Sequence, residues 1–240
     1  MSNLLAEEQF WSDAWKRHVE NYLVAAPRTG YWLETRFPQQ RSVLEIAGGS
    51  CRDSRYLASV WDRSVGTDFD EKTILYLKNR FPDARHEVRR EDGFALSFDD
   101  KAFELSFSNG FWVLFPDDEA ILNLIREQAR VTRKWMVVLV HNDLNEGLKT
   151  TFARHTQTDP LYDIRFFTPE NVETLIRAAG IPFRSISLEK FGGRVDALYR
   201  RPTTLVPNLL YSSAGRIAPR LYRYQSWKHT ERVACVVELQ

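Results

Sequence analysis

The residues with chemistry to offer begin at one short turn. Glu45-Ile-Ala-Gly48-Gly49-Ser-Cys-Arg-Asp53 follows a brief apolar run, and Asp68 lies 19 residues after Gly49. Small residues at 47–50 let a backbone come close to a ligand, and glycine supplies torsions that other residues resist. In open α/β sheets ligands bind beyond the carboxyl ends of the strands, where the first turn is glycine-rich. A carboxylate at the end of the next strand, Asp68, can accept from both hydroxyls of a ribose. Asp is also common before a first helical turn, so Asp68 taken alone could be a helix cap. The ligand suggested is a nucleoside cofactor.

Glu45 narrows the choice. A dinucleotide would lay its pyrophosphate over this turn, where a carboxylate repels it. The Gly-x-Gly-x-x-Gly pattern is also absent, because positions 50 and 53 are Ser and Asp. S-adenosyl-L-methionine has no phosphate and carries an ammonium and a sulfonium, which an acid at the strand end suits. Farther along, His141 follows the fifth predicted strand, with Asp143 two residues on. A neutral imidazole at that edge could take a proton from an acceptor hydroxyl. It could also merely cap the strand or bind a water.

The elements that must position these groups follow from hydrophobic period. Phe10, Trp11, Ala14, Trp15, Val19, Tyr22 and Leu23 suit an amphipathic helix within residues 7–36. Pro27 and Gly30 interrupt it, and a second short helix runs up to Phe37-Pro38. Short apolar runs predict strands at 42–47, 64–68, 86–89, 103–108, 135–140, 183–188 and 232–239. Helical stretches separate them, to about residue 60, to Arg80 before Pro82, over 117–131, and from Pro169 to Ala179 before Gly180. Strands alternating with helices mean a parallel sheet covered on both faces. The expected fold is α/β: a Rossmann-like, open, mostly parallel seven-stranded sheet with helices on both faces and an N-terminal helical cap. The expected organisation is one domain over 1–240. It divides into a cap at 1–40, a core at 41–191, a basic and aromatic insert at 192–230, and a last strand at 231–240.

Composition excludes several classes. The chain has 240 residues, 43% of them hydrophobic, enough for a core without disulfide or metal staples. Thirty-three basic residues against 32 acidic ones argue against disorder and against gripping nucleic acid by bulk charge. The longest apolar run, 135–140, is far short of a transmembrane span. The first eight residues place acids where a signal peptide needs a basic start. Cys51 and Cys235 are far apart without metal-ligand spacing, so no metal site is expected and a reduced, cytoplasmic protein is the default.

At this point the residues carry a family likeness. Residues 43–58, Val-Leu-Glu-Ile-Ala-Gly-Gly-Ser-Cys-Arg-Asp-Ser-Arg-Tyr-Leu-Ala, resemble the first motif of class I S-adenosylmethionine-dependent methyltransferases. Residues 65–74 resemble the second motif, 90–98 the segment after the third strand, and 103–111 the fourth. Four motifs in order at family spacing are a specific signal. The resemblance implies that Glu45, Ala47, Gly48 and Gly49 line the methionine end of the cofactor. It places Asp68 on the ribose and Phe69 against adenine. Asp92, Gly93 and Phe94 would lie at the adenine amino group, and Asn109 and Gly110 would form the floor. S-adenosyl-L-homocysteine would be the product. Two positions depart from the pattern: Ala47 replaces the usual first glycine and Cys51 the last.

Between the last two strands, seven basic residues from Arg194 to Lys228 face Asp196 alone, with Tyr and Trp interleaved. This insert is either a solvated flap or a platform for a phosphate- or carboxylate-bearing acceptor, lipid-linked acceptors at a membrane surface included. The expected function is methyl transfer to an oxygen of a small-molecule, glycan or lipid-linked acceptor, with His141 as candidate base. The alternatives are a non-catalytic binding module of the same fold, or an RNA methyltransferase. The latter is disfavoured because Ser108-Asn-Gly-Phe111 lacks the prolines usual where nucleobase amino groups are methylated.

Overall fold

The computed structural model describes residues 20–199 and 217–240. Among the described residues the elements that frame the sheet are, in chain order, α1 (Arg28–Arg36), β1 (Ser42–Ile46), α2 (Arg52–Leu57), β2 (Arg63–Asp68), α3 (Glu71–Arg80), β3 (His86–Arg90) and β4 (Phe103–Asn109), followed by α4 (Asp118–Val131), β5 (Thr132–His141), α5 (Glu146–His155), α6 (Pro169–Ala178), β6 (Phe183–Phe191) and β7 (Arg232–Leu239). The sheet order is β3-β2-β1-β4-β5-β7-β6. The pairs β2–β3, β1–β2, β1–β4 and β4–β5 are parallel, whereas β7 runs antiparallel between β5 and β6. All seven expected strands are present, and the sheet is mostly parallel.

Alternation along the central strands divides the core into two layers. Met136, Val138 and Val140 of β5 join Val233, Cys235 and Val237 of β7 under the apolar stripes of α4 and α6. The opposite face, carrying Val43, Leu105, Phe107, Val137, Leu139, Ala234 and Val236, packs on Trp32 and Leu33 of α1 and on Tyr222. Helix ends follow side-chain chemistry. Asp70, Asp117 and Asn145 each accept a backbone N–H of the first turn, and Thr168 with Asn171 completes a reciprocal cap on α6.

Three differences from expectation have physical causes. β5 begins at Thr132, three residues early, because exposed Arg133 and Lys134 hide the start of a strand whose remainder is buried. β6 extends to Phe191 as an edge strand, where polar residues face solvent. Helix α5 was not expected: it buries no residue fully, so it has little apolar period to detect. Trp11, Trp15 and the rest of the cap through Val19 lie outside the described residues, as do Arg200, Arg201 and Arg216 of the basic insert.

Candidate functional site

The turn after β1 is a tight cradle. Ala47, Gly49 and Cys51 have φ of 52°, 55° and 45°, the left-handed region. The two departures from the glycine pattern therefore adopt the backbone that glycine favours, at a cost of about 1–3 kcal/mol each. The conformation is held from below. Gly48 N–H donates to the Thr67 carbonyl at 2.8 Å, Cys51 N–H to the Gly48 carbonyl at 3.1 Å, and Thr67 Oγ1 to the Glu45 carbonyl at 2.9 Å. Gly48 is required: a Cβ there would sit 2.8 Å from Glu45 Cδ. Gly66 in β2 is required as well, because a Cβ would meet Cys51 Cβ at 2.7 Å.

Glu45 is fully inside, and its Oε2 accepts from Ser54 N–H at 2.8 Å. Burial, with Asp53 nearby, pushes its carboxyl up to about 8. It is thus largely protonated at neutral pH until a cation approaches, and the repulsion argument drawn from its charge is weaker than the sequence suggests. Ser54 is the hub beneath the turn: its Oγ also meets His86 Nε2 at 2.9 Å, and its carbonyl accepts from Ser64 Oγ at 2.6 Å.

Asp68 is not a helix cap; Asp70 caps α3. Asp68 Oδ2 accepts from Gly49 N–H at 2.8 Å and Oδ1 from Asp70 N–H at 3.0 Å. A carboxylate has about four acceptor sites, so both oxygens keep capacity for a diol. Phe69 follows it, half-buried, with the Arg90 guanidinium 5.3 Å from its ring centre. Asp92 is exposed and its Oδ1 accepts from Phe94 N–H at 2.9 Å, the local turn bond expected of an Asp-Gly pair. Gly93 must be glycine because a Cβ would lie 2.6 Å from the Phe111 ring. Exposed Phe94 stands edge-on to Phe115, which in turn meets Phe111. Trp112 goes wholly into the core.

Register brings three more groups onto the face that carries Glu45. Phe107 pairs with Glu45, Leu139 with Asn109, and Arg232 with His141. Phe107, Leu139 and Ala234 share the α1 face. Residues two apart on a strand return to one face, so Glu45, Asn109, His141 and Arg232 share one face of β1, β4, β5 and β7, at successive levels toward the carboxyl ends of β4 and β5. Asn109 Nδ2 donates to Thr29 Oγ1 at 2.9 Å, while its buried Oδ1 has no partner. Gly110, at φ 80°, donates to the Leu139 carbonyl. His141 closes β5 against Phe152 and Phe166, and its Nδ1 is also buried without a partner. Burial, reinforced by the Arg232 charge, holds the imidazole well below its ordinary value, so it is neutral. Asp143 does not join it but pairs with Lys149 at 3.2 Å.

Sequence reasoning missed the groups that seal this face. Arg28 Nη1 and Nη2 bind Glu231 at 2.8 and 3.1 Å and Arg28 also pairs with Asp196, while Tyr222 Oη donates to Asp196 at 2.7 Å. Asp53 Oδ1 accepts from Gly30 N–H at 2.9 Å, joining α1 to the cradle. Arg28 and Glu231 are 203 residues apart and carry no local signal. A groove of about 740 Å³ lies between α1, β6 and residues 219–227. Two of its cations serve the protein itself: Arg36 pairs with Glu189, and Lys190 donates to the Gln225 carbonyl.

Among the described residues no helix is long and apolar enough to cross a membrane, and no group of three or more His, Cys, Asp or Glu could hold a metal ion. Residues 43–134 match the family model described as a methyltransferase domain. No curated protein matches the chain. Solved structures share the fold. A Thermotoga maritima S-adenosylmethionine-dependent methyltransferase aligns over 97% of both chains at 15% identity, TM-score 0.62. One from Archaeoglobus fulgidus covers 92% of this chain and 97% of its own at 18% identity, TM-score 0.59. A Methanosarcina mazei protein of the same description covers 84% and 93% at 15% identity, TM-score 0.56.

Proposed function

We propose that the chain, whose residues 43–134 match a methyltransferase domain, is a class I S-adenosylmethionine-dependent methyltransferase that uses S-adenosyl-L-methionine to methylate an oxygen of a small-molecule acceptor. The residues fit the cofactor. The Cβ-free floor at Gly48 and the left-handed turn admit close approach, and Asp68 keeps open acceptor sites. The unpartnered Oδ1 of Asn109 suits an ammonium donor. Glu45, Ala47, Gly48 and Gly49 hold the methionine end, with Asn109 and Gly110 as its floor. Asp68 binds the ribose. Phe69, Asp92, Gly93 and Phe94 surround the adenine.

When bound, the cofactor supplies an electrophilic methyl group on a sulfonium that leaves readily. The chain's own part is to orient an acceptor and manage one proton. His141 carries the oxygen reading: it is a neutral, buried imidazole at the end of β5, on the same face as Asn109, with Nδ1 unpartnered. As the Nε2–H tautomer, its Nδ1 would take the hydroxyl proton of an acceptor whose oxygen receives the methyl group. Positioning alone can contribute about 7–11 kcal/mol, so His141 refines a reaction that orientation already favours.

Calorimetric titration with S-adenosylmethionine and S-adenosylhomocysteine tests the donor site. Binding by the wild type that is lost in Asp68→Ala supports it, and equal binding by both removes Asp68 from the ribose. An acceptor screen then compares wild type with His141→Gln. Full turnover by the variant removes the general base.

A further inference from the structure

Arg232 heads β7 beside His141 and has a use that the fold does not explain. Its Nε donates to Glu231 Oε1 at 3.2 Å, and only 15% of the side chain is exposed. Its Nη1 is buried without a partner. The nearest atom to a Cβ built on Gly110 would be this Nη1, at 3.1 Å, so the absent side chain at Gly110 leaves space in front of it. On the same face stand the unpartnered Nδ1 of His141 and Oδ1 of Asn109. A buried donor or acceptor left unmade costs about 1–3 kcal/mol, and more when charged. Two of these atoms, Arg232 Nη1 and His141 Nδ1 on the paired strands β7 and β5, mark a place built for a polar ligand beside Oδ1 of Asn109, which the cofactor's ammonium would take.

We propose that Arg232 Nη1, across the space left by Gly110, binds a carboxylate on the acceptor and so sets the acceptor's hydroxyl beside Nδ1 of His141. This rests on the methyl-transfer reading above and names its substrate class: a hydroxy-carboxylate. Charge selects a carboxylate over phosphate. Glu231 and Asp196 stand within the same cluster and Arg28 with Arg232 only balances them, so a singly charged carboxylate is repelled less than a phosphate dianion. The planar guanidinium matches a carboxylate's geometry. Phe152 and Phe166, with ring centres 4.9 and 5.8 Å from His141, offer an apolar body its place. Because Nη1 is covered, binding is coupled to a shift of the α1 turn, which Arg28 and Thr29 tie to the same edge.

The test uses protein saturated with S-adenosylhomocysteine and titrated with benzoate or inorganic phosphate. The readouts are calorimetry and the nuclear magnetic resonance signals of the His141 ring, assigned with His141→Gln. Benzoate is expected to bind and move those signals, with phosphate weaker by about tenfold or more. Arg232→Met should weaken benzoate by about tenfold while S-adenosylhomocysteine affinity stays within about twofold. Should Arg232→Met fail to fold, Arg232→Lys keeps the charge, and a loss of about fivefold is expected from the missing planar fork. Unchanged benzoate affinity in the variant that folds overturns the proposal, as does no binding by a wild type that holds S-adenosylhomocysteine. Phosphate binding as tight as benzoate overturns the carboxylate assignment. A wild type that binds no S-adenosylhomocysteine refutes the donor reading instead, and benzoate added to the unliganded protein then decides the role of Arg232 through the same His141 signals.

Discussion

His86 offers a sharp test of the packing beneath the cradle. It opens β3, is 7% exposed, and its Nε2 meets Ser54 Oγ at 2.9 Å. Burial first, and the Arg55 charge second, press its value down to about 4, against a weaker upward pull from Asp83. The unfolded chain therefore binds a proton near pH 6.5 that the native state refuses, so stability falls as pH drops below that value. With values of about 6.5 and 4, linkage gives a loss of about 2 kcal/mol between pH 7 and pH 5, approaching about 3 kcal/mol by pH 4. His86→Gln keeps a hydrogen-bonding group for Ser54 and removes the titration. The assay is urea denaturation of both proteins at pH 7 and pH 5. The wild type should lose about 2 kcal/mol more than the variant over that range; other groups, His141 among them, cancel in the difference. Equal losses, or a resonance showing His86 titrating above pH 6, would refute the reasoning. Ser54 also holds Glu45, so donor affinity should weaken along with stability in acid.

Other perturbations address separate links. Arg28→Met leaves the largely buried Asp196 without its cation and Glu231 with Arg232 alone, and should cost about 3 kcal/mol by chemical denaturation. Gly93→Ala drives a methyl into the Phe111 ring and should cost about 1–3 kcal/mol, with weaker S-adenosylhomocysteine binding measured by calorimetry. Thr168→Ala removes the reciprocal cap of α6, on the far layer, and should cost about 1 kcal/mol while leaving donor binding unchanged.

The seven strands and the tight turn after β1 were legible in the sequence, for a local reason. A buried parallel strand must be a short apolar run, and a backbone that bends tightly around a ligand must be built from small residues. Thus 42–47 and 64–68 announced β1 and β2, and Glu45, Gly48, Gly49 and Asp68 lie at the carboxyl ends of those strands and in the turn after β1. Helix α5 and the first three residues of β5 escaped because exposed residues leave no apolar period. Tertiary structure alone decided what those side chains do. Burial protonates Glu45, register sets His141 opposite Arg232, and the Arg28–Glu231 pair closes a contact across 203 residues. Charge state and long-range pairing depend on solvent exclusion and on which strands become neighbours, and neither is a property of the local sequence.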